Sequence, residues 1–126
     1  MHIGRLNHFT LRCRPQELVE LREFYVGVLG LAEGPRPDFS FPGHWLYADG
    51  AAIVHLAGVL ASRPARETGP LDHIAFSARD LEATRQRLND RNILFDERPV
   101  PGFPLHQVFL SDPQGLRLEL TFEAAA

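Results

Sequence analysis

Four side chains in this 126-residue chain have the types and spacing to do chemistry together: His8, His55, His73 and Glu119. His8 and His73 each stand third in a hexapeptide of one pattern, Leu6-Asn7-His8-Phe9-Thr10-Leu11 and Leu71-Asp72-His73-Ile74-Ala75-Phe76. His55 and Glu119 each stand fourth in a second pair, Ala52-Ile53-Val54-His55-Leu56 and Leu116-Arg117-Leu118-Glu119-Leu120. Imidazoles and a carboxylate at matched places are the donors of a divalent metal site or the partners of acid–base catalysis.

Other chemistries are poorly supplied. All 13 basic residues are arginine, so Schiff-base, lysine-base and phosphate-loop lysine mechanisms are absent. There is no G-x-S-x-G elbow, and Cys13 is the single cysteine, which excludes an internal disulfide and suits a reducing compartment. The net charge of −3 contains no basic block of the kind that grips nucleic acid. No apolar run spans a bilayer, and the opening MHIGRLNHF has no signal-peptide core. These features predict a cytoplasmic protein that engages neither membrane nor nucleic acid, with a small molecule as partner.

The elements that must position the four groups follow from the repeat. Each first hexapeptide alternates like a half-buried strand, and each is followed by a helical segment. In the first copy Pro15 opens the helix, Leu18, Leu21, Tyr25 and Val28 recur at helical spacing, and Gly30 stops it. In the second, Asp80 is the N-cap and Leu81, Thr84 and Leu88 share a side. Short extended segments broken by Pro and Gly follow, then a strand from His44 or His106, then the strand carrying His55 or Glu119. The prediction is an α+β fold: a single domain over 1–126, with module 1 at about 1–57, a linker at about 58–70 and module 2 at about 71–126. Two tandem βαβββ modules form a cupped mixed sheet with helices on its outer face.

Strand parity directs the side chains. Phe9, Leu11, Ile74, Phe76, Val54, Leu56, Leu118 and Leu120 form the faces that the helices cover. His8, His73, His55 and Glu119 point the other way, and so do Trp45, Tyr47, Gln107 and Phe109, whose aromatic character suits a planar or apolar substrate. A lone strand His or Glu is more often a hydrogen-bonded or solvated residue. Four at matched positions on one face would cost stability unless a metal or a hydrogen-bond network compensated them. His44 and His106 have the opposite parity, which fits a structural role, with a loop route to the site left open.

In order and at this spacing, LNHFTL, LDHIAF, FYVGVLGL and VFLSDPQGLRLELTF resemble the vicinal oxygen chelate superfamily over essentially the whole chain. The superfamily includes glyoxalase I, extradiol dioxygenases, fosfomycin-resistance transferases and bleomycin-binding proteins. The resemblance implies His8, His73 and Glu119 as ligands of one divalent metal, with Fe(II) or Mn(II) favoured and Zn(II) or Ni(II) as other occupants. It implies a substrate that chelates this metal through adjacent oxygens, and a homodimer in which His8 and His55 of one chain can meet His73 and Glu119 of the other. His55 then divides the readings. As a non-ligand acid/base it resembles extradiol dioxygenases, although these usually carry Tyr at the place of Phe109. As a fourth ligand it resembles glyoxalase I-type isomerases or lyases. A metal-free small-molecule binding protein of the bleomycin-sequestering kind is the further alternative.

Overall fold

The alternation read from the sequence becomes two four-stranded mixed sheets. The computed structural model describes residues 1–65 and 68–124; residues 66–67 of the expected linker, and 125–126, lie outside the described residues. The chain divides into two compact units, Met1–Pro64 and Ala65–Ala126.

The first unit runs β1 (Phe9–Cys13), a helical segment, β2 (Ala32–Gly34), β3 (Gly43–Ala48) and β4 (Ala51–Gly58), with sheet order β1-β4-β3-β2. β1 pairs parallel with β4, and the other pairs are antiparallel. β3 and β4 are joined by Asp49 and Gly50, both at positive φ (50° and 79°), the Asp-Gly signature of a tight hairpin whose twist matches its strands. The expected single helix is built in three parts. Pro15–Glu17 is a 3-10 turn, α1 (Leu18–Arg22) is regular, and Glu23–Val28 widens into a π-helical segment. Leu18, Leu21, Phe24, Tyr25 and Val28 are all buried, and with Leu46, Val54 and Leu56 they form this unit's core. Each such side chain contributes about 1.5–3 kcal/mol on burial.

The second unit repeats the plan: β5 (Ile74–Ala78), α2 (Leu81–Asp90), β6 (Asp96–Pro99), β7 (Leu105–Ser111) and β8 (Arg117–Glu123), in the order β5-β8-β7-β6. Asp80 caps α2 as expected, its side chain accepting from the Ala83 N–H. Leu88, Val108, Leu118, Leu120 and Phe122 fill the core.

Two sequence expectations change. The strands begin at Phe9 and Ile74 rather than at Leu6 and Leu71, both of which are exposed, so His8 and His73 are the residues that lead into β1 and β5. His44 and His106 do not come from loops. They lie within β3 and β7 on the side of Leu46 and Val108, and each meets a glutamate of the neighbouring edge strand. Glu33 accepts from Arg22 Nε at 2.9 Å and contacts His44 Nδ1. Glu97 accepts from Arg85 Nη2 at 2.6 Å and from His106 Nε2 at 2.9 Å. The same Arg–Glu–His triad thus ties helix to sheet edge in both units.

Candidate functional site

In the second unit, Glu119 lies in the middle of β8, paired with Ala75 on one side and Phe109 on the other, and parity turns it away from Leu118 and Leu120. Only 6% of its surface is exposed, so its oxygens need donors inside the fold. Thr121, two residues on and on the same face, donates its hydroxyl to Oε2. His73 Nε2 lies 3.0 Å from Oε1. The other ring nitrogen, Nδ1, is 2.7 Å from Asp72 Oδ2, and this hydrogen bond holds the Asp72 carboxyl below its usual range. Phe109 stands edge-on to His73 at 5.8 Å, with the guanidiniums of Arg98 and Arg117 over its ring at 4.8 and 4.5 Å. An open cavity of about 340 Å³ lies beside Asp72 and Arg117. Gln107 is half-buried and pairs with Thr121 and Arg98.

The donor chemistry of the His73–Glu119 pair fits a divalent ion. An imidazole nitrogen and a carboxylate oxygen are both ordinary ligands of first-row divalent ions. A carboxylate on the far nitrogen of a metal-binding imidazole fixes its tautomer and orientation, and Asp72 is placed to do this. A proton on Nε2 satisfies the same pair. Among the described residues no group of three or more His, Cys, Asp or Glu side chains is placed to hold a metal ion.

In the first unit, His8 and His55 stack with ring centroids 3.9 Å apart and planes 15° from parallel. Trp45, opposite His55 in the β3–β4 register, stacks on that ring at 3.9 Å and 9°. The series continues through Phe39, 6.4 Å from Trp45, to Phe41, 5.0 Å from Phe39 and nearly parallel to it. Five rings therefore form a ladder from His8 to Phe41. His55 Nε2 donates to the Ala52 carbonyl at 3.0 Å, which leaves Nδ1 as the lone-pair nitrogen of the neutral ring. Burial, followed by the charge of His8, pushes the His55 pKa down and favours that neutral form. His8 Nδ1 lies 2.7 Å from Asn7 Oδ1, the counterpart of the Asp72–His73 contact. Tyr47 spends its hydroxyl on the Pro35 carbonyl at 2.6 Å, and its ring lies where Gly34 has no side chain.

Sequence reasoning passed over Asn7, Asp72, Arg36, Phe39 and Phe41. The first two were visible as an Asx-His dipeptide repeated in both hexapeptides. The other three lie in the irregular segment between β2 and β3, which has no periodicity to read.

Residues 5–120 match the family model described as the glyoxalase/bleomycin resistance protein/dioxygenase superfamily. No curated protein matches significantly. Among solved structures, a glyoxalase family protein from Bacillus anthracis superposes with a TM-score of 0.79 at 22% identity, over 98% of both chains. A genomically encoded fosfomycin resistance protein from Listeria monocytogenes gives 0.74 at 17% identity, over 98% of this chain and 96% of that one. An antibiotic binding protein from Streptomyces sp. gives 0.70 at 21%, over 98% and 99%. At these identities the likeness concerns the fold. Among the described residues no helix is long and apolar enough to cross a membrane.

Proposed function

The chain belongs to the glyoxalase/bleomycin resistance protein/dioxygenase superfamily, and within it we propose a metal-dependent enzyme acting on a small molecule with adjacent oxygens. His8, His73 and Glu119 are its metal ligands. The observation that carries this reading is the His73–Glu119 pair, with Nε2 and Oε1 at 3.0 Å and the far nitrogen held by Asp72. A divalent ion bound there supplies Lewis-acid polarisation of the substrate oxygens. The protein's own residues do the rest. Asn7 and Asp72 hold the Nδ1 side of their imidazoles, which leaves Nε2 as the nitrogen that would bind a metal. Thr121 orients the Glu119 carboxylate, and His55 Nδ1 accepts a proton from the substrate while its Nε2–H stays on the Ala52 carbonyl.

Two imidazoles and one carboxylate with a separate histidine base favour the extradiol dioxygenase-like reading, working on a catechol with Fe(II) or Mn(II). The free Nδ1 of His55 also supports a second reading, in which it is a fourth ligand and the enzyme is a glyoxalase-type isomerase. The active form is a homodimer in either case.

The test is metal content after anaerobic purification, in wild type, His73→Ala and His55→Ala, followed by oxygen uptake with a catechol panel. The dioxygenase reading expects about one metal per chain, lost in His73→Ala and kept in His55→Ala, with uptake that depends on His55. Metal loss in both variants turns the case to the isomerase. No metal in any sample, even after reconstitution, overturns the enzyme reading and favours a binding protein.

A further inference from the structure

One end of the ring ladder opens into a cavity of about 140 Å³ lined by Arg36, Phe39, Phe41, Trp45, His55 and Thr10 among others. Its walls are mostly apolar, and its size compares with the roughly 150 Å³ cavity known to hold a single benzene. One cation stands in this apolar box. Arg36 lies over Phe39 and Phe41, its guanidinium carbon 4.9 and 5.1 Å from their ring centres.

Arg36 is also under-used. Of the five donors of a guanidinium, one Nη2 hydrogen is given to the Phe41 carbonyl at 2.8 Å. Its Nε is buried without a partner, and no carboxylate pairs with Arg36 among the described residues. A half-buried cation left without a counter-charge is costly, and a planar carboxylate is the anion whose geometry matches a guanidinium edge. Gly43 makes room for this arrangement. A Cβ there would stand 3.0 Å from Arg36 Nη2 and 2.1 Å from the Leu56 carbonyl oxygen.

We propose that this pocket binds a monocyclic aromatic carboxylate, its ring among Phe39, Phe41 and Trp45 and its carboxylate on Arg36. The ring then lies beside His55, the proton acceptor proposed above. The inference names the substrate class of the proposed enzyme and rests on that reading for the role of the bound acid, while the binding itself needs no metal.

Trp45 is the chain's one tryptophan and reports directly on the pocket. Its fluorescence is titrated with benzoate and with benzamide, the uncharged analogue, in the 126-residue chain before and after metal stripping. Benzoate is expected to give a saturable change with at least about tenfold tighter binding than benzamide, since each tenfold is about 1.4 kcal/mol of discrimination. Arg36→Gln removes that preference and leaves benzamide unaffected, while Arg36→Lys keeps a preference for the anion. Equal affinity for the two probes in wild type, or no saturable response to benzoate, overturns the proposal even if Arg36→Gln fails to fold. His73→Ala run in parallel separates the two readings. Benzoate binding without metal in any preparation leaves the pocket standing and removes the enzyme reading; metal without benzoate binding does the reverse.

Discussion

His73 and Glu119 meet across the parallel pair β5–β8, Nε2 to Oε1 at 3.0 Å, although 46 residues separate them in the chain. The contact depends on where the strand starts. His73 lies just ahead of β5, so its ring can reach the Glu119 side chain, whose nearest β5 partner in register is Ala75. Asp72, one residue earlier still, reaches the opposite side of the same ring. The first unit repeats the entrance with Asn7 and His8 ahead of β1.

If His8 and His73 hold the proposed metal, that repetition would make Asn7 and Asp72 positioning residues. Asp72→Ala and Asn7→Ala should each fold, because both side chains are exposed, and each should weaken metal binding by about 10–100-fold. Asp72→Asn, which still accepts from Nδ1–H, should recover most of the loss. Metal titration by calorimetry measures all three. Unchanged affinity in both alanine variants removes the role assigned to the Asx-His dipeptides.

Metal binding should also appear as stability. A ligand at 100 times its Kd adds about 2.7 kcal/mol to the native state. Thermal unfolding of wild type should therefore shift upward with added Mn(II). In Glu119→Gln, which keeps an acceptor for Thr121 and loses the charge, the shift should largely vanish. An equal shift in both proteins would place the metal elsewhere.

Parity and the repeat made the two sheets legible: Val54 and Leu118 are fully buried, while His55 and Glu119, one position on, lie on the opposite faces of β4 and β8. Asp80, followed by Leu81, Thr84 and Leu88 on one side, announced its helix. The strands start later than the matched hexapeptides suggest: Leu6 and Leu71 fall on the parity of His8 and His73, opposite the apolar face, and both are solvent-exposed. The Arg–Glu–His triads and the Arg36 pocket were out of reach for another reason. Each joins residues 3 to 12 positions apart through side chains whose meeting depends on strand order and loop path, which local periodicity does not encode.

The triad of the second unit predicts a specific acid response. Hydrogen bonds from Arg85, then from His106, hold the Glu97 carboxyl well below its usual 4.5, at about 2. A carboxylate with a depressed folded pKa contributes stability that is complete above about pH 4.5 and is lost as pH falls towards 2. Wild type should be more stable than Glu97→Gln at pH 7, and the gap should narrow between pH 4.5 and 2. Urea denaturation of both proteins across that range measures it. A constant gap would mean that Glu97 acts through packing and not through its charge.

Cys13 is fully buried at the end of β1, and burial, reinforced by the nearby Glu17 charge, pushes its thiol up to about 11. The thiolate is the reactive form, so a thiol-specific disulfide reagent at pH 8 should leave the native protein essentially unmodified. Modification should follow the opening of the first unit and become fast and stoichiometric in urea. Rapid labelling of the native protein would contradict the packing described for β1.

A side chain at Gly43 in β3 and one at Gly34 in β2 would have different consequences. A Cβ at Gly43 would lie 2.1 Å from the Leu56 carbonyl oxygen, a backbone atom fixed by the β3–β4 ladder. A Cβ at Gly34 would lie 2.7 Å from the Tyr47 ring, a side chain that can swing aside if it gives up the Pro35 carbonyl. Gly43→Ala should therefore cost about 1–3 kcal/mol through forced backbone shift, and Gly34→Ala about 0.5–1.5 kcal/mol for the lost hydrogen bond. The Arg36 guanidinium also crowds position 43, so Gly43→Ala should weaken benzoate binding at Trp45 while Gly34→Ala leaves it close to wild type. Denaturant unfolding gives the stability order and the fluorescence titration gives the second effect. The reverse order in stability would show that the β3–β4 ladder yields more readily than the Tyr47 ring.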